Sequence, residues 1–183
     1  STSASLDLPD YLVDDILDLT RLESGRYSLS KSDCDLNRVI EETVDLMAPR
    51  VTERNLRLAS GPPTIDRVTV WGEERGLRQI LVNLLEFATV SARETHTITI
   101  AAETDAAGAA VLALTDDGGG LQREIERAIG DPLGTGLNTS EAGGASSWFG
   151  LSLVKSFLQL HNGSLQAGAL PDGRFSIRVT LPR

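Results

Sequence analysis

Cysteine is almost missing from this 183-residue chain: Cys34 stands alone, which excludes an internal disulfide. Histidine is nearly as scarce, and His96 and His161 lie too far apart to offer, with one cysteine, the ligand spacing of a zinc site. Positive charge is also in deficit. Lys and Arg number 17 against 26 Asp and Glu, a net charge of −9, whereas nucleic acid and anionic membranes call for clustered bases that neutralise phosphates. Proteins or small ligands are the expected partners, with no nucleic acid and no membrane contact by this fragment. No apolar run approaches the length that crosses a bilayer, and the start Ser1-Thr2-Ser3 has neither the charged nor the greasy region of a signal peptide. A soluble, cytoplasmic chain is expected. Its length and a hydrophobic fraction of 40% suffice for one full domain with a sizeable core and some additional segment.

Residues 7–24 read as a helix, with Asp7 as cap, Pro9 in the first turn and Gly25 at its end. It carries one apolar stripe at Leu8, Leu12, Ile16 and Leu19 and a second at Val13 and Leu17. A lone helix cannot bury both, so this piece is expected to pack on another helix or another subunit, although an ordinary core helix has the same pattern. A second helix begins near Asp35 with Leu36, Val39, Ile40, Thr43, Val44 and Met47 on one face, until Pro49 bends or weakens it. Strands are expected at 56–59 and 68–71 on either side of Gly61-Pro62-Pro63. The clearest helix spans 74–92 and places Leu77, Ile80, Leu81, Leu84, Leu85 and Ala88 on one face. Residues 97–102 and 110–115 alternate as a hairpin about a 105–108 loop, 150–161 form a helix, and 164–169 pair with 174–181 through Pro171-Asp172-Gly173. In the last strand Phe175, Ile177, Val179 and Leu181 share one face. The pattern predicts an α/β fold, a two-layer sandwich of a mixed sheet with helices on one face. The Gly- and Ser-rich residues 130–149 exceed ordinary connector length, which favours a functional lid.

Chemistry concentrates in Leu114-Thr115-Asp116-Asp117-Gly118-Gly119-Gly120-Leu121, where a strand ends in an acid followed by glycines. A buried Asp116 carboxylate can accept a hydrogen bond from an exocyclic amine, while Gly118 and Gly120 let the backbone approach a flat ring without a Cβ clash. A plain glycine turn between strand and helix would look alike.

Context adds to this loop. Gln79-Ile80-Leu81-Val82-Asn83-Leu84-Leu85 precedes it, Gly150-Leu151-Ser152-Leu153-Val154-Lys155 follows it, and 14–25 reads Asp-Asp-Ile-Leu-Asp-Leu-Thr-Arg-Leu-Glu-Ser-Gly. In this order the segments resemble the N, G1 and G2 boxes of sensor histidine kinases and the end of their second dimerisation helix. Leu160-His161-Asn162-Gly163 resembles the family's helix-to-strand exit. The resemblance implies residues 1–25 as a dimerisation-helix remnant and 26–183 as an ATP-binding domain of the Bergerat type, with its lid at 130–149. It implies ATP and Mg²⁺ as cofactors: Asp116, Gly118 and Gly120 at adenine, Asn83 at the phosphate-bound metal, and Gly150 and Leu151 in the G2 box.

Three departures qualify this. Phe87 stands where the family has its second asparagine, one turn beyond Asn83 on the same face, and cannot supply an oxygen to a hard cation. Val90 replaces a frequent basic residue. Ser146-Ser147-Trp148-Phe149-Gly150-Leu151 replaces Gly-x-Gly-Leu-Gly-Leu, so a bulky indole is expected to obstruct phosphate at the amides of a helix N-terminus. Gly134-Thr135-Gly136-Leu137 resembles half of a displaced G2 box but follows Asp131-Pro132-Leu133, where the family's lid begins. No phosphoacceptor histidine is implied within the chain, and His96 and His161 are expected to be structural.

The resemblance, read with these losses, implies a pseudokinase of two-component signalling whose nucleotide binding is weak or lost. Its partners would be a response regulator, another histidine kinase, or both, and the N-terminal helix would make it a homodimer. The stretch 148–157 resembles that of kinase-like cell-cycle regulators of alphaproteobacteria, which implies a tyrosine at the phosphoacceptor position outside this chain. An active ATP-dependent histidine or tyrosine kinase with its phosphoacceptor outside this chain is the alternative. The family also includes members whose full length is anchored in a membrane.

Overall fold

The computed structural model describes residues 25, 28–53, 56–60, 67–90, 96–117, 122 and 144–182, with side chains throughout except at 56, 60, 87–90 and 144–151. The expected helix at 7–24, the glycines of 118–120 and residues 130–143 lie outside the described residues.

The described chain opens with β1 (Ser32–Asp35) and passes directly into α1 (Leu36–Glu53). Asp35 makes that transition: its Oδ1 accepts the Arg38 N–H at 3.2 Å, satisfying one of the amides that a helix start leaves open. Leu36, Val39, Ile40, Thr43, Met47 and Val51 then bury one face. The helix runs through Pro49 to Glu53. One lost N–H bond near the C-terminal end is offset by packing and by the Arg50–Glu86 ion pair to the next helix.

β2 (Leu56–Ser60) and β3 (Thr69–Gly72) follow, then α2 (Glu74–Val90), β4 (His96–Thr104), β5 (Ala110–Asp116), α3 (Gly144–Leu160), β6 (Ser164–Ala169) and β7 (Phe175–Leu181). The main sheet has the order β2-β4-β5-β7-β6, with β2 parallel to β4 and the remaining pairs antiparallel. β3 does not join it. It pairs instead with β1, a strand the sequence pattern had not indicated, in a separate two-stranded ribbon. The Cys34 thiol, buried there, donates to the Gly72 carbonyl at 3.2 Å.

Register explains the layers. Ile98, Ile100, Ala102, Leu112, Leu114, Ile177, Val179 and Leu181 fall on one face of the sheet and are buried. Against them stand Leu77, Ile80, Leu81, Leu84 and Leu85 of α2 and Leu153, Val154, Phe157 and Leu158 of α3 in a single apolar core. The opposite face is wetter and carries a cross-strand ion pair, Arg178 Nη2 to Glu103 Oε2 at 3.2 Å. Both predicted hairpins form. Asp105 closes the first with Oδ1 bonds from Ala107 and Ala109, and Gly173, at φ 89°, turns the second.

α3 reaches six residues further toward its N-terminus than the pattern indicated, so 144–149, read as the end of the lid, are helical. Among the described residues, no helix is long and apolar enough to cross a membrane.

Candidate functional site

Asp116 is the last residue of β5 and is 1% exposed. Its cross-strand neighbours are Ile98 in β4 and Phe175 in β7, so the carboxylate sits on the apolar face of the sheet. A carboxylate in such surroundings is costly without polar company. Part of that company is His96, the first residue of β4, whose Nε2 lies 3.5 Å from Asp116 Oδ1 with both side chains buried. At that length the contact is electrostatic rather than a formed hydrogen bond. Asp117 is anchored to the same strand: its Oδ1 accepts the Thr97 N–H at 2.7 Å, and its own N–H donates to the Thr97 carbonyl at 3.3 Å. The start of β4 thus braces both acids at the point where the chain leaves the sheet. Gly118 and Gly120 continue beyond the described residues.

Asn83 lies on the buried side of α2, 2% exposed, and its Oδ1 accepts the Gln79 amide at 2.8 Å, one turn earlier. It therefore shares the core-facing side of the helix with Ile80 and Leu84. Phe87 and Val90 occupy the C-terminal part of α2, with side chains outside the described residues. Glu86, directly before Phe87, is tied to Arg50 of α1.

Gly150 and Leu151 lie on α3, as expected, but not at its N-terminus. With the helix starting at Gly144, Gly150 is well inside it, where backbone N–H groups bond to the carbonyl four residues back rather than point at a ligand. The side chains of 144–151, Trp148 among them, lie outside the described residues.

His161, directly after α3, has the structural role anticipated for it. Its Nε2 accepts the Glu73 N–H at 3.0 Å, and its Nδ1 lies 2.7 Å from the Phe157 carbonyl. Both contacts fit only the neutral ring protonated at Nδ1. Burial pushes its pKa below the ordinary value, the Phe157 contact opposing this in part. His96 has the greater consequence, because its place beside Asp116 was not anticipated. The antiparallel register held that information: Ile98 faces Asp116, and the period of two puts His96 on the same face, diagonally beyond it.

The profile of the "Histidine kinase-, DNA gyrase B-, and HSP90-like ATPase" family matches residues 72–183. The chain belongs to this family. Within it the histidine kinases are the relevant branch. The "Non-motile and phage-resistance protein" of Caulobacter vibrioides is 27% identical over 174 residues, covering 93% of this chain and 20% of that protein. "Histidine protein kinase DivJ" of the same organism is 26% identical over 176 residues, covering 93% of this chain and 28% of that one. The chain thus spans between a fifth and a third of the length of these curated relatives. Among solved structures, full-length ShkA in complex with AMPPNP superposes with a TM-score of 0.66 at 22% identity, covering 93% of this chain and 35% of that chain. That likeness concerns the fold, a mixed sheet covered by helices. The chain is accordingly an ATPase-family domain similar to those of histidine kinases.

Proposed function

We propose that this domain retains the adenine end of a nucleotide site, has lost its magnesium and phosphate end, and serves two-component signalling mainly by binding partner proteins. The reading is carried by the contrast between the two ends. Asp116 is a buried acceptor braced by β4, the chemistry an exocyclic amine requires. At the other end, Asn83 is followed one turn later by Phe87, Val90 brings no charge, and Gly150 lies within the helical run of α3. A hard cation needs several oxygens at short range, and one amide oxygen already hydrogen-bonded to Gln79 is a poor start.

In this reading Asp116, Gly118 and Gly120 receive adenine, while Asn83, Gly150 and Leu151 are inherited positions whose binding to Mg²⁺-ATP is weak or lost. None of them is a catalytic residue. The AMPPNP held by ShkA supports a nucleotide as the ligand class. The partners are a response regulator or another histidine kinase, and assembly through residues 1–25 gives a homodimer. The rival reading, an active kinase whose phosphoacceptor lies outside this chain, draws on the retention of Asn83 in its buried place on α2.

Calorimetric titration with ATP, with and without magnesium, separates the two. The proposal expects less than a threefold effect of the metal and comparable, weak binding of adenosine and ATP. A magnesium-dependent gain of tenfold, about 1.4 kcal/mol, would return the chain to the active kinases.

A further inference from the structure

The geometry points to His96 as a positioning residue for nucleobase recognition: it fixes the orientation of the Asp116 carboxylate and thereby sets the preference for an amino over a keto purine. The inference rests on the proposed role of Asp116 at adenine.

Three observations carry it. His96 Nε2 is 3.5 Å from Asp116 Oδ1, with the two side chains 5% and 0% exposed, so bulk water does not mediate between them. His96 also approaches from within the sheet. Ile98 is the direct cross-strand partner of Asp116, and His96 is its diagonal neighbour on the same face, at a separation only a long side chain spans. Finally, the backbone around the pair is tied at Thr97, which exchanges hydrogen bonds with Asp117 through its N–H and its carbonyl. The imidazole and the carboxylate are therefore carried on two strands held in register at that point.

The chemistry follows. A carboxylate can only accept, so an Nε2 facing it attracts it only as N–H, which defines the state of His96 that acts here. Rotation about the last bond of an aspartate is broad and close to two-fold. The attraction of a buried N–H 3.5 Å from Oδ1 biases that rotation and favours one carboxylate plane for a second donor. An exocyclic amine, as on adenosine, supplies such a donor. A keto oxygen, as on inosine, meets the carboxylate as acceptor against acceptor, an unpaired arrangement a buried site penalises strongly. Without His96 that bias is lost, and the discrimination falls although the acid is still present.

The test measures adenosine and inosine binding by calorimetry for the unaltered chain and for His96→Gln, His96→Asn and Asp116→Asn, each first shown to be folded. Gln can place an amide N–H where Nε2 stands, and Asn is one methylene too short. We expect the preference for adenosine to fall at least tenfold in His96→Asn and to stay within threefold of the unaltered chain in His96→Gln. In the unaltered chain the ¹⁵N resonance of His96 Nε2 should shift on adding adenosine and far less on adding inosine, a response a merely structural histidine would not give. A preference lost in Asp116→Asn but kept in His96→Asn would overturn the role of His96 and leave that of Asp116 standing. A preference absent from the unaltered chain, or kept in Asp116→Asn, would remove the adenine reading and this inference with it.

Discussion

The Nε2 of His161 accepts the backbone N–H of Glu73 at 3.0 Å, joining the end of α3 to the start of α2, the helix that carries Asn83. The bond exists only while that nitrogen is unprotonated. Because burial holds the folded-state pKa below the ordinary value near 6.5, the folded chain binds a proton at His161 less readily than the unfolded chain does. The stabilisation is thus fully present above about pH 6.5 and is lost as pH falls from there toward the depressed folded value. Urea unfolding at pH 8 and pH 5.5 should show a larger acid loss for the unaltered chain than for His161→Gln, whose amide oxygen accepts at either pH. His161→Phe should lose about 2 kcal/mol at pH 8, the cost of a buried N–H left unmatched. Equal acid sensitivity in the unaltered chain and His161→Gln would show that His161 does not titrate against folding.

Gly163 should be irreplaceable at the neighbouring turn. α3 ends with Asn162 at φ 56° and a Gly163 N–H bond to the Leu158 carbonyl at 2.7 Å, a left-handed helix ending. A Cβ on Gly163 would lie 2.8 Å from the Thr180 carbonyl oxygen, a backbone atom that cannot swing away. Gly163→Ala should therefore cost about 1–3 kcal/mol in denaturant unfolding. Gly168→Ala, where a Cβ meets nothing within 4 Å, is the matched control and should change stability far less. Similar losses at both would show that the approach to the Thr180 carbonyl is not the cause.

These two contacts illustrate what sequence periodicity reveals and what it does not. Phe175, Ile177, Val179 and Leu181 could be assigned to a buried face because burial on one side of a strand imposes alternation, and all four are buried. β1 escaped because Ser-Asp-Cys-Asp has no apolar alternation; only Cys34 points inward, and the pairing with β3 supplies the rest. The start of α3 escaped because Gly-Ala-Ser-Ser at 144–147 shows no amphipathic stripe and has no strong local preference for helix beyond Ala145. At the site, Asp116 and Asn83 were legible as residue types in an order of motifs. The neighbour of Asp116 was not, because His96 is twenty residues away in sequence and meets it only through strand register.

The two apolar stripes that the sequence would give a helix over residues 7–24 lead to a prediction about assembly, since a lone helix could not bury both. The chain is expected to sediment as a dimer, and conversion of Leu12, Ile16 and Leu19 to polar residues should yield a monomer with an unchanged midpoint of domain unfolding. A dimer that survives the triple change would place the association elsewhere.

The proposed loss of the metal end should be reversible by residue type if it lies where the sequence places it. Phe87 follows Asn83 by four positions on α2, so an asparagine there would present an amide oxygen on the same side of the helix one turn along. Phe87→Asn alone should produce a small magnesium effect on ATP binding, a few-fold at most, because a hard cation draws on several oxygens and on the phosphates themselves. Adding Val90→Lys brings a cation toward the phosphates, and adding Trp148→Gly removes the indole from a position where the family carries glycine. The triple variant should therefore show a magnesium-dependent gain of tenfold or more, about 1.4 kcal/mol, while adenosine affinity stays where it was. Adenosine is the internal control, since it has neither phosphate nor metal and reports on the Asp116 end only. A folded triple variant that binds adenosine yet gains nothing from magnesium would locate the defect outside these three positions, with the helical run through Gly150 the next feature to change.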